Sequence, residues 1–367
     1  MSKDKVDISI EELSCKHPSG YESGNLTLRF SGKDINNKML NALRRLVCNN
    51  VPSYAFPPEL INIEENTCVA FNNDYMRLRL SMLPILNLDS DIFFLHEQFW
   101  KGVNYADPKR EKHHSEVSVE LYCNVHNNSN IIKNVTTNDV RYYVDGVQTF
   151  PYDKEYPYLI IKLRPNDTFK CHMKGALGIG ENKAYWNAAR NASYDCFDNK
   201  IDLTVWSTGQ MSEYALLRKA CSYIIKKMED INIELERRVD TKELIEEKTM
   251  LFVLDGEDHS IGELINYELQ SHPDIIFSGN TKPDHLIKSV TITIEASSKI
   301  KSPLNAIRDC IKLISNKMTI IREKLRILND KSDSRPDDKP DKITDDKPDK
   351  ITEKKQEKKS NKRSSKH

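Results

Sequence analysis

Eight apolar residues near the C-terminal end, Leu304, Ile307, Ile311, Ile314, Met318, Ile321, Leu325 and Leu328, recur at intervals of 3-4-3-4-3-4-3. A repeat averaging 3.5 residues keeps two positions per heptad on one narrow stripe, the pattern of a helix that packs lengthwise on another helix. A core-facing amphipathic helix is the plainer reading, but the narrowness of the stripe favours helix-on-helix docking. Ser302 stands where an N-cap belongs, and Pro303 suits the first helical position, where a missing N–H costs nothing. A seam almost four heptads long has to be covered, so a second long apolar face is required. Residues 212–235 supply one, with Leu217, Ala220, Ile224, Met228, Ile231 and Leu235 on or near one side of a helix.

The rest of the chain mixes shorter helices with strands. Leu26, Leu28 and Phe30 alternate with polar neighbours, and Val117, Val119, Leu121, Cys123 and Val125 do so over a longer run. Further strands are expected at 159–163, 203–206, 251–254 and 290–296, and short helices at 36–49 and 260–272. The order is strand, short helix, strands, a β-rich middle and a long helix, then strand, short helix, strand and long helix. One plan is repeated in outline, and the expected class is α+β.

Charge and cysteine usage exclude several functions. Residues 331–367 hold 13 basic and 9 acidic side chains with almost no apolar ones, and repeat Asp338-Lys-Pro-Asp-Lys-Ile-Thr344 eight residues later. Such a segment cannot bury enough surface to offset its ordering entropy and is expected to be a disordered, charged tail. Its basic end, residues 354–367, suits an import signal, a weak DNA-touching arm or a plain solvated tail. Without residues 331–367 the chain carries 42 basic and 46 acidic residues, the opposite balance from a phosphate-neutralising nucleic-acid binder. The eight cysteines lie at least 20 residues apart and form no Cys-x-x-Cys, which fits neither a zinc finger nor a dense disulfide framework. No stretch approaches 18 uncharged apolar residues, and a soluble protein of a reducing compartment is expected.

Three constellations invite a chemical reading. Asp255-Gly-Glu-Asp-His259 has acid–base and metal-ligand residue types, but Asp255-Gly256 reads as a turn after a strand and Asp258 as the cap of the next helix. Gly175-Ala-Leu-Gly-Ile-Gly180 reverses the dinucleotide fingerprint and lacks a surrounding βαβ pattern. His113, His114, Cys123, His126, Cys171 and His172 could meet in the β-rich middle. No metal is expected there.

Several ordered blocks resemble one known family. The first half carries Asn41-Ala-Leu-Arg-Arg-Leu46, Val51-Pro52, Ile63-Glu-Glu-Asn-Thr67 and Arg77-Leu-Arg-Leu-Ser-Met-Leu-Pro-Ile85. Gly178-Ile-Gly-Glu-Asn-Lys-Ala-Tyr-Trp186 follows, with Lys183 and Tyr185 where the family usually has His and Lys, and then Trp206-Ser-Thr-Gly209. The second half carries Asp258-His-Ser-Ile-Gly-Glu-Leu-Ile265, Asn266-Tyr-Glu-Leu269, Pro273, Phe277-Ser-Gly279, Lys282-Pro283 and His285-Leu286, the last in place of His-Pro. These halves resemble the two alpha-like subunits of cellular RNA polymerases, the third and eleventh subunits of eukaryotic polymerase II. Fusions of the two are known in nucleocytoplasmic large DNA viruses, which makes a giant virus the expected source.

The resemblance implies an intramolecular pseudo-dimer of two alpha-like dimerisation halves with an inserted β-rich domain. Residues 1–86 and 177–240 would form the first half, 87–176 the insert, 241–330 the second half and 331–367 the tail. It implies a non-catalytic assembly subunit of a multisubunit DNA-directed RNA polymerase, with large catalytic subunits and other small subunits as partners in a heteromultimer. DNA would be touched only through the complex, no membrane is involved, and no cofactor is expected. The acidic Mg²⁺-binding loop of the reaction belongs, in the family, to the largest subunit, and nothing like it appears here. The residues expected at subunit interfaces are Leu43, Arg44 and Arg45, Leu217, Ile224 and Met228, His259 and Leu264, and Ile307, Ile311, Ile314, Met318 and Ile321. Arg44 and Arg45 are expected at a helix end, serving either the helix dipole or a contact with a large subunit. A viral chain would work in the cytoplasmic factory and the virion, a cellular one in the nucleus. The rival reading is a stand-alone DNA-binding or transcription-regulatory protein.

Overall fold

Leu26, Leu28 and Phe30 all point to the inner side of one strand, and the fold starts from that face. The computed structural model describes residues 6–16, 24–241, 248–284, 286–297 and 303–333. Ser302, His285, residues 242–247 and the tail from residue 334 lie outside them. Strands β1 (Ser9–Lys16) and β2 (Asn25–Ser31) pair antiparallel, with the register shifting between Glu12 and Ser14. Helix α1 (Asn37–Asn49) follows, capped by Asn36, whose side chain accepts from the Met39 N–H. Its buried residues Met39, Leu40, Leu43 and Val47 share one core with the inward residues of β2.

The chain then leaves this layer for a long excursion. After β3 (Ser53–Ala55), β4 (Ile61–Asn66) and helix α2 (Asn73–Ser81) come β5 (Val119–His126), β6 (Lys133–Thr136), β7 (Val140–Val144), β8 (Val147–Thr149), β9 (Leu159–Leu163), β10 (Thr168–Lys174) and β11 (Ala176–Gly178). Five of these strands form a sheet in the order β4-β10-β5-β7-β8, while β6 pairs with β9 and β3 with β11. A second core, separate from the first, joins Phe56, Met76, Leu80, Leu121, Phe169 and Met173. Packing therefore does not change at residue 87: β4 and α2, expected in the first half, contribute to the β-rich core.

The chain returns through β12 (Ala189–Phe197) and β13 (Lys200–Ser207) to the first sheet, whose order is β1-β2-β13-β12. Leu28 thus lies opposite Leu203, and Arg29 forms a two-bonded ion pair with Asp202. Helix α3 (Glu213–Asp240) follows, capped by Ser212, and runs five residues beyond its expected end at Leu235. The last part of the described chain comprises β14 (Thr249–Asp255), α4 (His259–Gln270), β15 (Ile275–Thr281), β16 (Ser289–Ala296) and α5 (Leu304–Asp333). Its sheet has the order β14-β16-β15, and α4 buries Ile261, Leu264, Ile265 and Leu269 in the same core as Phe252, Ile292 and Ile294.

Helix α5 opens with the Ile307 N–H donating to the Pro303 carbonyl at 3.1 Å. It extends to Asp333, so residues 331–333 are helical where the charged tail was expected to begin. No described helix is long and apolar enough to cross a membrane.

Candidate subunit-interface site

The seam that the spacing of α5 demands is covered within the chain. Helices α3 and α5 lie against one another, and Leu217, Ile224, Met228, Ile307, Ile311, Ile314, Met318 and Ile321 are all buried in the core shared by the two outer sheets. Complete burial of each such side chain stabilises by about 1.5–3 kcal/mol relative to exposure, so eight together form a large apolar contribution. The buried face of α5 is wider than the eight-residue stripe, because Ala306, Cys310 and Lys317 are buried beside it. Burial pushes the free thiols of Cys221 and Cys310 up to about 12, so both behave as small apolar groups.

Polar contacts tie the two helices to their surroundings and, at one point, to each other. Lys317 on α5 and Glu268 on α4, both 5% exposed at the side chain, pair at 2.8 Å, and Asp34 in the turn before α1 lies 3.7 Å from the same ammonium. At the far end of α3, Arg238 bonds Glu234 on its own helix, the Val253 carbonyl at 2.8 Å and Asp255 at 3.1 Å, tying the helix to β14. Lys227 of α3 pairs with Glu257 at 2.8 Å, although burial pushes the Glu257 carboxyl up. Arg322 of α5 donates to the Ser222 hydroxyl of α3 at 3.2 Å. Lys317, Glu268, Asp34 and Arg238 were not legible as site residues, because charges interrupting an amphipathic stretch read as its solvated face.

Asp258 is the hub of a second set of contacts. It caps α4 through the His259 N–H at 2.8 Å, and accepts from Arg45 of α1 at 2.6 Å and from Lys282 at 3.1 Å. Burial works against its charge, but these donors hold its carboxyl down at about 2. The Asp255–His259 stretch is thus engaged in turns, caps and ion pairs, as its turn and cap residues suggest.

The two arginines do not stand at a helix end. Helix α1 continues to Asn49 and has no basic residue in its last turn, which removes the dipole reading for Arg44 and Arg45. Arg44 donates to Asn41 at 3.1 Å, Arg45 points to Asp258, and both are partly exposed. Leu43 and Leu264 are buried inside the chain, whereas His259 faces solvent.

The six His and Cys residues of the β-rich middle do not converge on one point. Cys123 and Cys171 are buried directly opposite one another on β5 and β10, His126 bonds Thr168 at 2.7 Å, and the His172 ring stacks on Tyr122 at 4.2 Å. His113 and His114 lie beside one another on the loop before β5, and among the described residues no group of three or more His, Cys, Asp or Glu could hold a metal. The glycines near 178 serve packing. A Cβ at Gly178 would meet the buried Trp186 ring at 2.5 Å, and one at Gly180 would meet the Cys48 carbonyl oxygen at 2.6 Å.

Residues 249–324, from β14 through most of α5, match the RNA polymerase Rpb3/Rpb11 dimerisation domain. A mixed helix-and-sheet body of the dimerisation class is therefore present. The chain is also 27% identical over 334 residues to a protein of Acanthamoeba polyphaga mimivirus named as a DNA-directed RNA polymerase subunit, covering 84% of this chain and 93% of that one. It is 27% identical over 177 residues to subunit 3B of DNA-directed RNA polymerases IV and V of Arabidopsis thaliana, 45% of this chain and 52% of that one. Subunit rpb11 of RNA polymerase II of Dictyostelium discoideum is 33% identical over 69 residues, 19% of this chain and 57% of that one. The chain is thus similar over most of its length to a viral RNA polymerase subunit, and in different parts to a third-type and an eleventh-type subunit.

Proposed function

We propose that this chain is the assembly platform of a multisubunit DNA-directed RNA polymerase, an intramolecular pseudo-dimer in which one alpha-like half pairs with the other. The observation that carries this reading is the buried α3–α5 seam, which joins two sheet-and-helix layers into one core within a single chain. On this reading the first half comprises the first sheet with α1 and α3, and the second runs from β14 to α5. The inserted domain takes in β4 and α2 as well as residues 87–176, because they share its core. The chain itself would be non-catalytic, with large catalytic subunits and other small subunits docking on its outer surfaces. Arg44 and His259 are the proposed outward contacts, with Arg45 reaching the same surface from its bond to Asp258. The mimivirus relative supports work in a viral factory or virion. Affinity purification of the tagged full chain from cells expressing the polymerase tests the class. Recovery of two large subunits in a stoichiometric complex is expected. Recovery of the chain alone, or with free DNA in a salt-sensitive complex, would favour the rival DNA-binding reading.

A further inference from the structure

The β-rich body has an open edge. Strand β8 is the last strand of its sheet, joined to β7 by the two-residue turn Asp145-Gly146, whose φ angles of 48° and 77° are those of a type I′ hairpin. In such a hairpin the flanking pair, Val144 and Val147, exchanges both hydrogen bonds, so the N–H and C=O of Gln148 point away from β7. Among the described residues no strand pairs with that outer side. Val147 is 65% and Phe150 74% exposed along this edge, an arrangement proteins normally avoid unless something covers it.

Beside the edge lies a cavity of about 430 Å³. Phe150, Pro151 and Tyr152 give it apolar walls, and Lys154 also lines it. Tyr142 and Thr149 also line this space; Tyr142 is only 3% exposed, and its hydroxyl and the Thr149 hydroxyl oxygen lie buried just beneath the cavity surface with no hydrogen-bond partner. Leaving a buried polar group unsatisfied is costly, so two at one place indicate a group missing from the isolated chain. Lys154 makes no ion pair with any described residue. Hydroxyl donors and an ammonium within apolar walls are complementary to a carboxylate on an aliphatic stem. A free strand edge next to the same cavity supplies the backbone half of the site.

From this geometry we infer that β8 takes an extended acidic segment of another polypeptide as an added strand, which places a glutamate-like side chain over Tyr142, Thr149 and Lys154. Main-chain bonds to Gln148 provide the pairing, and the cavity provides the choice of side chain. This inference rests on the polymerase-subunit reading for the expectation that the segment belongs to another subunit.

The test uses the full chain within the assembled complex. Gln148→Pro removes the outward N–H at an edge position where proline is tolerated, and Gln148→Ala keeps it. Tyr142→Phe removes the buried hydroxyl and, with no partner to strand inside the free chain, should leave its thermal midpoint unchanged or raise it. Expected results are at least a tenfold loss of one co-purifying subunit with Gln148→Pro and a several-fold loss with Tyr142→Phe, with Gln148→Ala like wild type. A photoreactive phenylalanine analogue at position 150 should cross-link to an extended acidic stretch of that subunit. Wild-type recovery by both Gln148→Pro and Tyr142→Phe, or a cross-link to nucleic acid, would overturn the inference. If Gln148→Pro fails to fold, Tyr142→Phe and the cross-link decide. Failure of the wild-type chain itself to recover large subunits would instead overturn the platform reading.

Discussion

Lys317 places a charge within an otherwise apolar contact, and its chemistry sets what substitution there must do. The ammonium and the Glu268 carboxylate are both nearly fully buried and satisfy one another at 2.8 Å. Removing one partner strands the other in a low-dielectric interior, which typically costs about 3–5 kcal/mol, whereas replacing both by apolar residues of similar volume is often neutral or stabilising. Lys317→Met should therefore lower the stability of the full chain by that order in urea unfolding, and adding Glu268→Leu should restore most of it. Similar losses from the single and the double substitution would show that Lys317 acts through something other than this pair. Asp258 differs in kind, because it is partly exposed and holds a helix cap and two cations at once. A cap followed by a helix was readable at Asp258, but its bond to Arg45, 213 positions earlier, was not.

At the scale of elements, the caps and stripes account for most of what formed. Asn36, Asn72, Ser212 and Asp258 each accept a backbone N–H at the start of a helix, the local chemistry that marks where a helix begins. Helix ends were unevenly legible. Helix α1 stops at Asn49 as expected, so only the placing of its arginines at that end fails, whereas α3 runs past Leu235 to Asp240, where Arg238 bonds β14 and stabilises the extra turn. The α3–α5 seam yields a paired test. Ile314 is fully buried, whereas its neighbour Leu313 is partly exposed on the other side of the helix. Ile314→Asp should cost at least roughly 3 kcal/mol, since it loses an apolar side chain and introduces a carboxylate that must stay unpaired or take up a proton. Leu313→Asp should cost less than about 1 kcal/mol by the same denaturation measurement. Equal losses at the two positions would contradict the seam geometry.

For the whole molecule, the proposed pseudo-dimer predicts that chain continuity between α3 and β14 is dispensable for pairing. Co-expressed as separate polypeptides, residues 1–241 and 242–333 should co-purify and elute together, because the buried seam and the contacts of Arg45 with Asp258, Asp34 with Lys317 and Arg238 with the Val253 carbonyl all cross between them. Linkage within one chain raises the effective concentration to about the millimolar range, so the split form should dissociate on dilution while the intact chain does not. Two stable, non-associating fragments would refute the pairing. By itself the sequence determined the α+β class, the repeated order of elements, the two long apolar stripes and the family motifs, since periodicity and caps are local properties of neighbouring residues. It also pointed to the residues of the seam, because a narrow stripe of that length has to be covered. Only the tertiary structure decided which charges lie between the layers, where the β-rich body begins and that Arg45 faces Asp258. Those outcomes depend on residues far apart in the chain, whose pairing is set by how layers pack and leaves no periodic trace in either segment.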